Sequence, residues 1–177
     1  MQTIASLRLC ALTVCALALQ PASAEEVRVV APGAVLVLQT PQGWRSTKRP
    51  GRVPTLSLLP ATGNDFQVLV SPLVGPDGRL GPASREALHG LVEAGANAAK
   101  SQAVEPSLPI RSFGTAEVQG HYFSATDRAP KPGEFKYLTQ GAMSVEGLPV
   151  AFTILSNANT KAAVESTLRM LAAARKE

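Results

Sequence analysis

The stretch "FKYLTQGAMSVEGLPVAFTILSN", residues 135–157, decides the fold. Its two arms are rich in β-branched and aromatic residues, and the Glu146-Gly147 pair between them is a hairpin signal. Residues 135–145 and 149–155 are therefore expected to pair as antiparallel strands. In the second arm Val150, Phe152 and Ile154 fall on one side, while Ala151 and Leu155 are apolar on the other. A strand that is apolar on both sides needs cover on both faces.

Two segments have the periodicity to supply that cover. Directly after the hairpin, "NTKAAVESTLRMLAAARK" (residues 159–176) places Val164, Leu168 and Leu171 at helical spacing. Asn159 or Thr160 can act as its cap, and Arg169, Arg175 and Lys176 lie towards its negative end. Such a stripe fits packing on a sheet or lying on a membrane surface, and a sheet is at hand. Earlier, "SREALHGLVEAGANAAKSQAV" (residues 84–104) spaces Leu88, Leu91, Val92, Gly95, Ala99 and Gln102 as a helix would, with Ser84 as N-cap and Glu86 in the first turn. "EPSLP" then ends this helix.

Working outward, "AVLVLQ" (34–39), "TLSLLP" (55–60) and "DFQVLVSPLV" (65–74) read as three strands in an antiparallel meander. Residues 75–84, "GPDGRLGPAS", are loop, and residues 110–126 form a strand interrupted at 114–117. No internal repeat, low-complexity tract or linker is present. The expectation is one α+β domain over residues 25–177, an antiparallel sheet of about six or seven strands flanked by two main helices.

The first residues, "MQTIASLRLCALTVCALALQPASA", combine a single arginine, a short apolar run and an A-x-A ending. That is the pattern of a secretory signal peptide, residues 1–24, cut after Ala24. The apolar run is about half the roughly 20 residues needed to span a bilayer. The expected location is the periplasm or the exterior. Both cysteines lie inside the segment to be removed, so disulfides, thiolate catalysis and cysteine metal sites drop out together. The formal charge of +4 includes Arg8. So small an excess, on a chain routed out of the cytoplasm, argues against a nucleic-acid partner.

Three features resemble one family. A strand runs into "TPQGW", "EVQGHYFSATD" carries a glycine midway along a strand before an aromatic, and the long hairpin leads directly into a C-terminal helix. Together these resemble the PsbP-like superfamily over residues 35–174. The resemblance implies an antiparallel sheet with helices on both faces and a role in assembly or accessory binding. Pro41, Gly43 and Trp44 match as structural residues, and no functional residue carries over.

Catalytic chemistry finds little support. Nucleophilic hydrolysis needs a serine or threonine held by a base, and the only histidines are His89 and His121, distant in sequence. The "GAMSVEG" around Ser144 lacks nucleophile-elbow spacing, and phosphate-cradling motifs are missing. Glu117, Asp127, Glu134 and Glu146 are scattered and read as solvated edges; Asp77 does not begin an EF-hand loop. No metal or cofactor is expected. What stands out is "RSTKRPGR", which sets Arg45, Lys48, Arg49 and Arg52 within eight residues. These cations either hold an anion or an acidic partner, or protect a sheet edge against aggregation.

The reading that follows is a non-catalytic accessory protein that binds another envelope protein. One alternative is a small-ligand carrier with a pocket beside the small residues Gly90, Ala94, Gly95, Ala98 and Ala99. Another is an envelope inhibitor or immunity protein acting through the loops at 75–84 and 127–134.

Overall fold

The computed structural model describes residues 24–49, 51, 53–158 and 161–177. The proposed signal peptide through residue 23, the cation Arg52 and the caps Asn159 and Thr160 lie outside the described residues. The strands are β1 (Glu25–Ala31), β2 (Ala34–Thr40), β3 (Arg45–Arg49), β4 (Thr55–Leu59) and β5 (Phe66–Pro72). Helix α1 (Arg85–Ala99) follows, then β6 (Arg111–Gly114), β7 (Val118–Thr126), β8 (Tyr137–Val145), β9 (Leu148–Ser156), helix α2 (Lys161–Ala172) and β10 (Arg175–Lys176).

The β8–β9 hairpin forms around the Glu146-Gly147 turn, with Val145 opposite Leu148. Glu146 has φ 47° and Gly147 φ 81°, the left-handed pair that matches the twist of a two-residue hairpin. The hairpin lies at the centre of a seven-stranded antiparallel sheet ordered β3-β4-β5-β9-β8-β7-β6. Gly120 and Gly141 are needed inside it. A Cβ at Gly141 would strike the His121 carbonyl oxygen and the Phe152 ring, and one at Gly120 would strike the Phe113 ring.

One expectation needs correction and one is refined. The first concerns the strand at 34–39, expected to open the meander with the next two. Instead β2 pairs with β1 and β10 in a separate three-stranded sheet, and the meander is β3-β4-β5. In β1, "EEVRVVA", Val27, Val29 and Ala31 fall on the side of the strand that is turned towards the core. The second concerns cover. The core face of the large sheet, with Leu56, Leu58, Val68, Val70, Val150, Phe152 and Ile154, is packed by Val29, Leu36 and Leu38 of the small sheet together with Leu168, Met170 and Leu171 of α2. On the opposite face α1 lays Leu88, Val92 and Ala96 on Phe123, Ala125 and Ala142, and so covers mainly β7 and β8. Beside α1 the face of β4 and β5 is polar, with Thr55 bonded to Ser71 and Gln67 to Ser57.

Helix α1 begins as its sequence suggests, the Ser84 hydroxyl accepting from the Ala87 amide at 3.2 Å. Of its expected stripe, Leu88 and Val92 are buried, but Leu91 is 47% exposed. Among the described residues no helix is long and apolar enough to cross a membrane.

Candidate functional sites

The cations of "RSTKR" occupy β3, an edge strand exposed at every position, rather than a hairpin loop. Side chains alternate across a strand, and directly opposed residues share a face. Ser46 and Lys48 stand opposite the buried Leu58 and Leu56, so they lie on the core side of the sheet. Arg45 and Arg49 therefore lie on the other side. The strand thus separates cations that the sequence groups, and Arg45 is already engaged. Its guanidinium donates to the carbonyls of Pro60 and Gly63 and to Asn64 Oδ1, tying down the β4–β5 loop. Lys48 and Arg49 have no side-chain hydrogen bond or ion pair among the described residues.

The histidines, distant in sequence, meet in space. His89 of α1 lies over His121 of β7, ring centroids 5.2 Å apart and nearly perpendicular. His121 is buried, and its Nδ1 lies 3.1 Å from the hydroxyl of Ser112, its cross-strand partner on β6. A serine beside a histidine invites comparison with a hydrolytic pair. In such a pair, however, a carboxylate steadies the imidazolium that forms during reaction. Here burial, and then the charges of His89 and Arg85, push the His121 pKa below its ordinary value. Each of those causes opposes the imidazolium a general base must become. Among the described residues no group of three or more histidine, cysteine, aspartate or glutamate side chains is placed to hold a metal ion.

Recesses lie on both sides of α2. One, of about 300 Å³, is the more polar: its lining includes Arg111, Tyr122, Ser124, Thr139, Ser156 and Lys161 beside Leu138, Val164 and Leu168. At its edge Glu105 accepts from both the amide and the hydroxyl of Thr126. Burial alone would raise the Glu105 pKa, but those bonds outweigh it and hold the carboxyl below its usual range. The other recess, of about 410 Å³, is mainly apolar, with Pro41, Trp44, Pro60, Phe66 and Met170 in its wall and Asp65 as the one charged residue among the described residues that line it.

The turn before β3 builds this second wall. The Trp44 amide donates to Pro41 O across a turn whose third residue, Gly43, has φ 78°. The turn sets the Trp44 ring 6.0 Å from that of Phe66 at an interplanar angle of 74°. By contrast, the small residues of α1 leave no comparable space. A Cβ on Gly95 would already touch the Phe123 ring, at 3.4 Å. Among the described residues α1 borders hollows at its two ends, one of about 340 Å³ through Arg85 and one of about 160 Å³ through Ala99.

The chain is similar to the solution structure of cyanobacterial PsbP (CyanoP) from Synechocystis sp. PCC 6803, with a TM-score of 0.46 and 13% identity, covering 94% of this chain and 98% of that one. No family model and no curated protein matches the chain. The α+β architecture stands on the strands and helices described above.

No sequence signal pointed to the α2 recesses. Their walls come from residues as far apart as Gln39 and Met170, each an ordinary core or turn residue in its own segment.

Proposed function

We propose that this is a non-catalytic binding protein of the cell envelope, exported by its first 24 residues, and that it works by holding a ligand in the apolar recess beside α2. The observation that carries the reading is the recess itself. It joins about 410 Å³ of space to two partly exposed aromatic rings, at a place where a well-packed domain would ordinarily close its core. Export is supported by the order of charge, apolar run and small residues up to Ala24. The His121 site, whose surroundings oppose a general base, supports a non-catalytic role.

Trp44 is the chain's sole tryptophan and lines the recess, so its fluorescence reports on occupancy. Protein purified without denaturation from envelope extract should carry a small molecule detectable by native mass spectrometry, and removing it should shift the Trp44 emission. Ligand-free protein, with no fluorescence response to an extract of envelope metabolites, would defeat this reading.

A protein partner is the second reading, supported by the uncommitted Lys48 and Arg49 on an open sheet edge. An acidic partner could pair with that edge through both charge and backbone.

A further inference from the structure

We propose that the recess beside α2 takes an organic cation, an ammonium group carrying an apolar body. This inference rests on the ligand-binding reading above and specifies its chemistry. Its basis is the combination of walls. Trp44 and Phe66 stand edge to face at 6.0 Å and 74°, two sides of a box rather than a closed stack. Both rings are only partly buried and both line the recess. A cation within about 6 Å of an aromatic face is attracted by the ring quadrupole, tryptophan most strongly, and the attraction grows as the cation is desolvated.

The charge of the lining points the same way. The described residues around the recess include no lysine, arginine or histidine, and Asp65, next to Phe66 in sequence, is the one ionisable side chain among them. The Asp65 carboxylate makes no ion pair or side-chain hydrogen bond among the described residues; only its backbone carbonyl is used, accepting from the Asn157 amide at 2.9 Å. An unengaged carboxylate beside an aromatic pair is notable in a chain whose formal charge is +4. An anion would meet this carboxylate with no compensating cation. A neutral apolar ligand would gain from the walls but nothing from Asp65.

Two positive contributions act against a cation. The Arg45 guanidinium lies nearby but is fixed on Pro60, Gly63 and Asn64 and does not line the recess. The first turn of α2 contributes Ala163 to the wall, and a helix start carries about half a unit of positive charge. Asp65 is exposed, so water screens its charge, but it stands at the mouth of the recess while Met170 and the prolines form an apolar seat for the body of the ligand. The more polar recess across α2 makes no such choice of sign, since Glu105 and Glu165 line it together with Arg111 and Lys161.

The test uses the full exported chain and Trp44 fluorescence, with choline and the hexyltrimethylammonium ion as cations and 3,3-dimethylbutan-1-ol and a neutral alkane-chain isostere as controls. The cations should give a saturable emission change, and each neutral isostere should bind at least about tenfold more weakly. Asp65→Asn should weaken the cations about threefold to tenfold while leaving the neutral isosteres unchanged, and an unaltered melting temperature would show that the variant folds. Equal binding of cation and isostere, or no response to Asp65→Asn, overturns the cation assignment but leaves a ligand-binding recess. Failure of every probe, charged and neutral, overturns the cation assignment, and the ligand-binding reading beneath it falls with it only if the purified protein is also ligand-free.

Discussion

His121 shows how one residue sets a property of the whole chain. It sits in the core between Ser112 on β6 and His89 on α1, with Arg85 nearby as the second charge. Burial first, then those charges, hold its pKa below that of the unfolded chain, so on acidification the unfolded chain takes up the proton first. This contribution to stability is therefore fully present above about pH 6.5 and is lost as the pH falls from there towards the folded-state pKa. The loss cannot exceed about 1.4 kcal/mol per pH unit for one proton. Melting temperatures between about pH 7.5 and pH 5 should fall in the parent chain and be flatter in His121→Gln. An equal slope in the variant would place the acid sensitivity elsewhere. The pairing of these histidines could not be read from sequence, because nothing in positions 89 and 121 says that α1 crosses β7 there.

At the scale of elements, what was legible followed local chemistry. The β8–β9 hairpin was read from an apolar alternation and a Glu-Gly turn, and α1 from a serine cap and a helical stripe, because each signal lies within its own segment. What was not legible depended on pairing at a distance: β2 left the meander because its partners are β1, just upstream, and β10, at the other end of the chain. The cations of β3 belong in the same category. Their clustering in sequence is real, but strand alternation sends Lys48 to one face and Arg45 and Arg49 to the other. Arg45→Ala should cost about 1 kcal/mol, because it removes the donors for Pro60, Gly63 and Asn64. The double variant Lys48→Glu/Arg49→Glu should stay within about 0.5 kcal/mol of the parent in denaturant titrations. If the edge recruits an acidic partner, the double variant alone should lose that partner in pull-downs from envelope extract. A double variant that was destabilised as much as Arg45→Ala would show these cations to be structural as well.

Across the molecule, the two ends of the described chain close on each other. Val35 and Glu177 exchange two backbone hydrogen bonds, at 2.7 and 2.9 Å, which hold β10 against β2. Above this ladder Arg175 meets Glu26 at 2.6 Å and Arg28 meets Glu177 at 2.7 Å. Hydrogen bonds from Arg175 and then Arg28 hold the Glu26 carboxyl below its ordinary pKa. These ion pairs are open to solvent, where such pairs contribute little and salt screens them. The backbone pairing differs in kind, because salt does not screen it and it protects the edge of β2, whose Leu36, Val37 and Leu38 are buried. The two contributions can be separated. Adding 1 M sodium chloride to the intact chain should lower the melting temperature only slightly. Removing residues 175–177 should remove about 2 kcal/mol of backbone hydrogen bonding, or roughly 6 °C for a domain of this size. Leu168, Met170 and Leu171 of α2 pack in the same core as Leu36 and Leu38, so the truncated chain should also loosen the helix that walls the recess. Hydrogen exchange along α2 should then rise together with the fall in melting temperature. If α2 stayed as protected as in the intact chain, the small sheet and the recess would be energetically independent, and closure of the chain ends would not help to form the binding site.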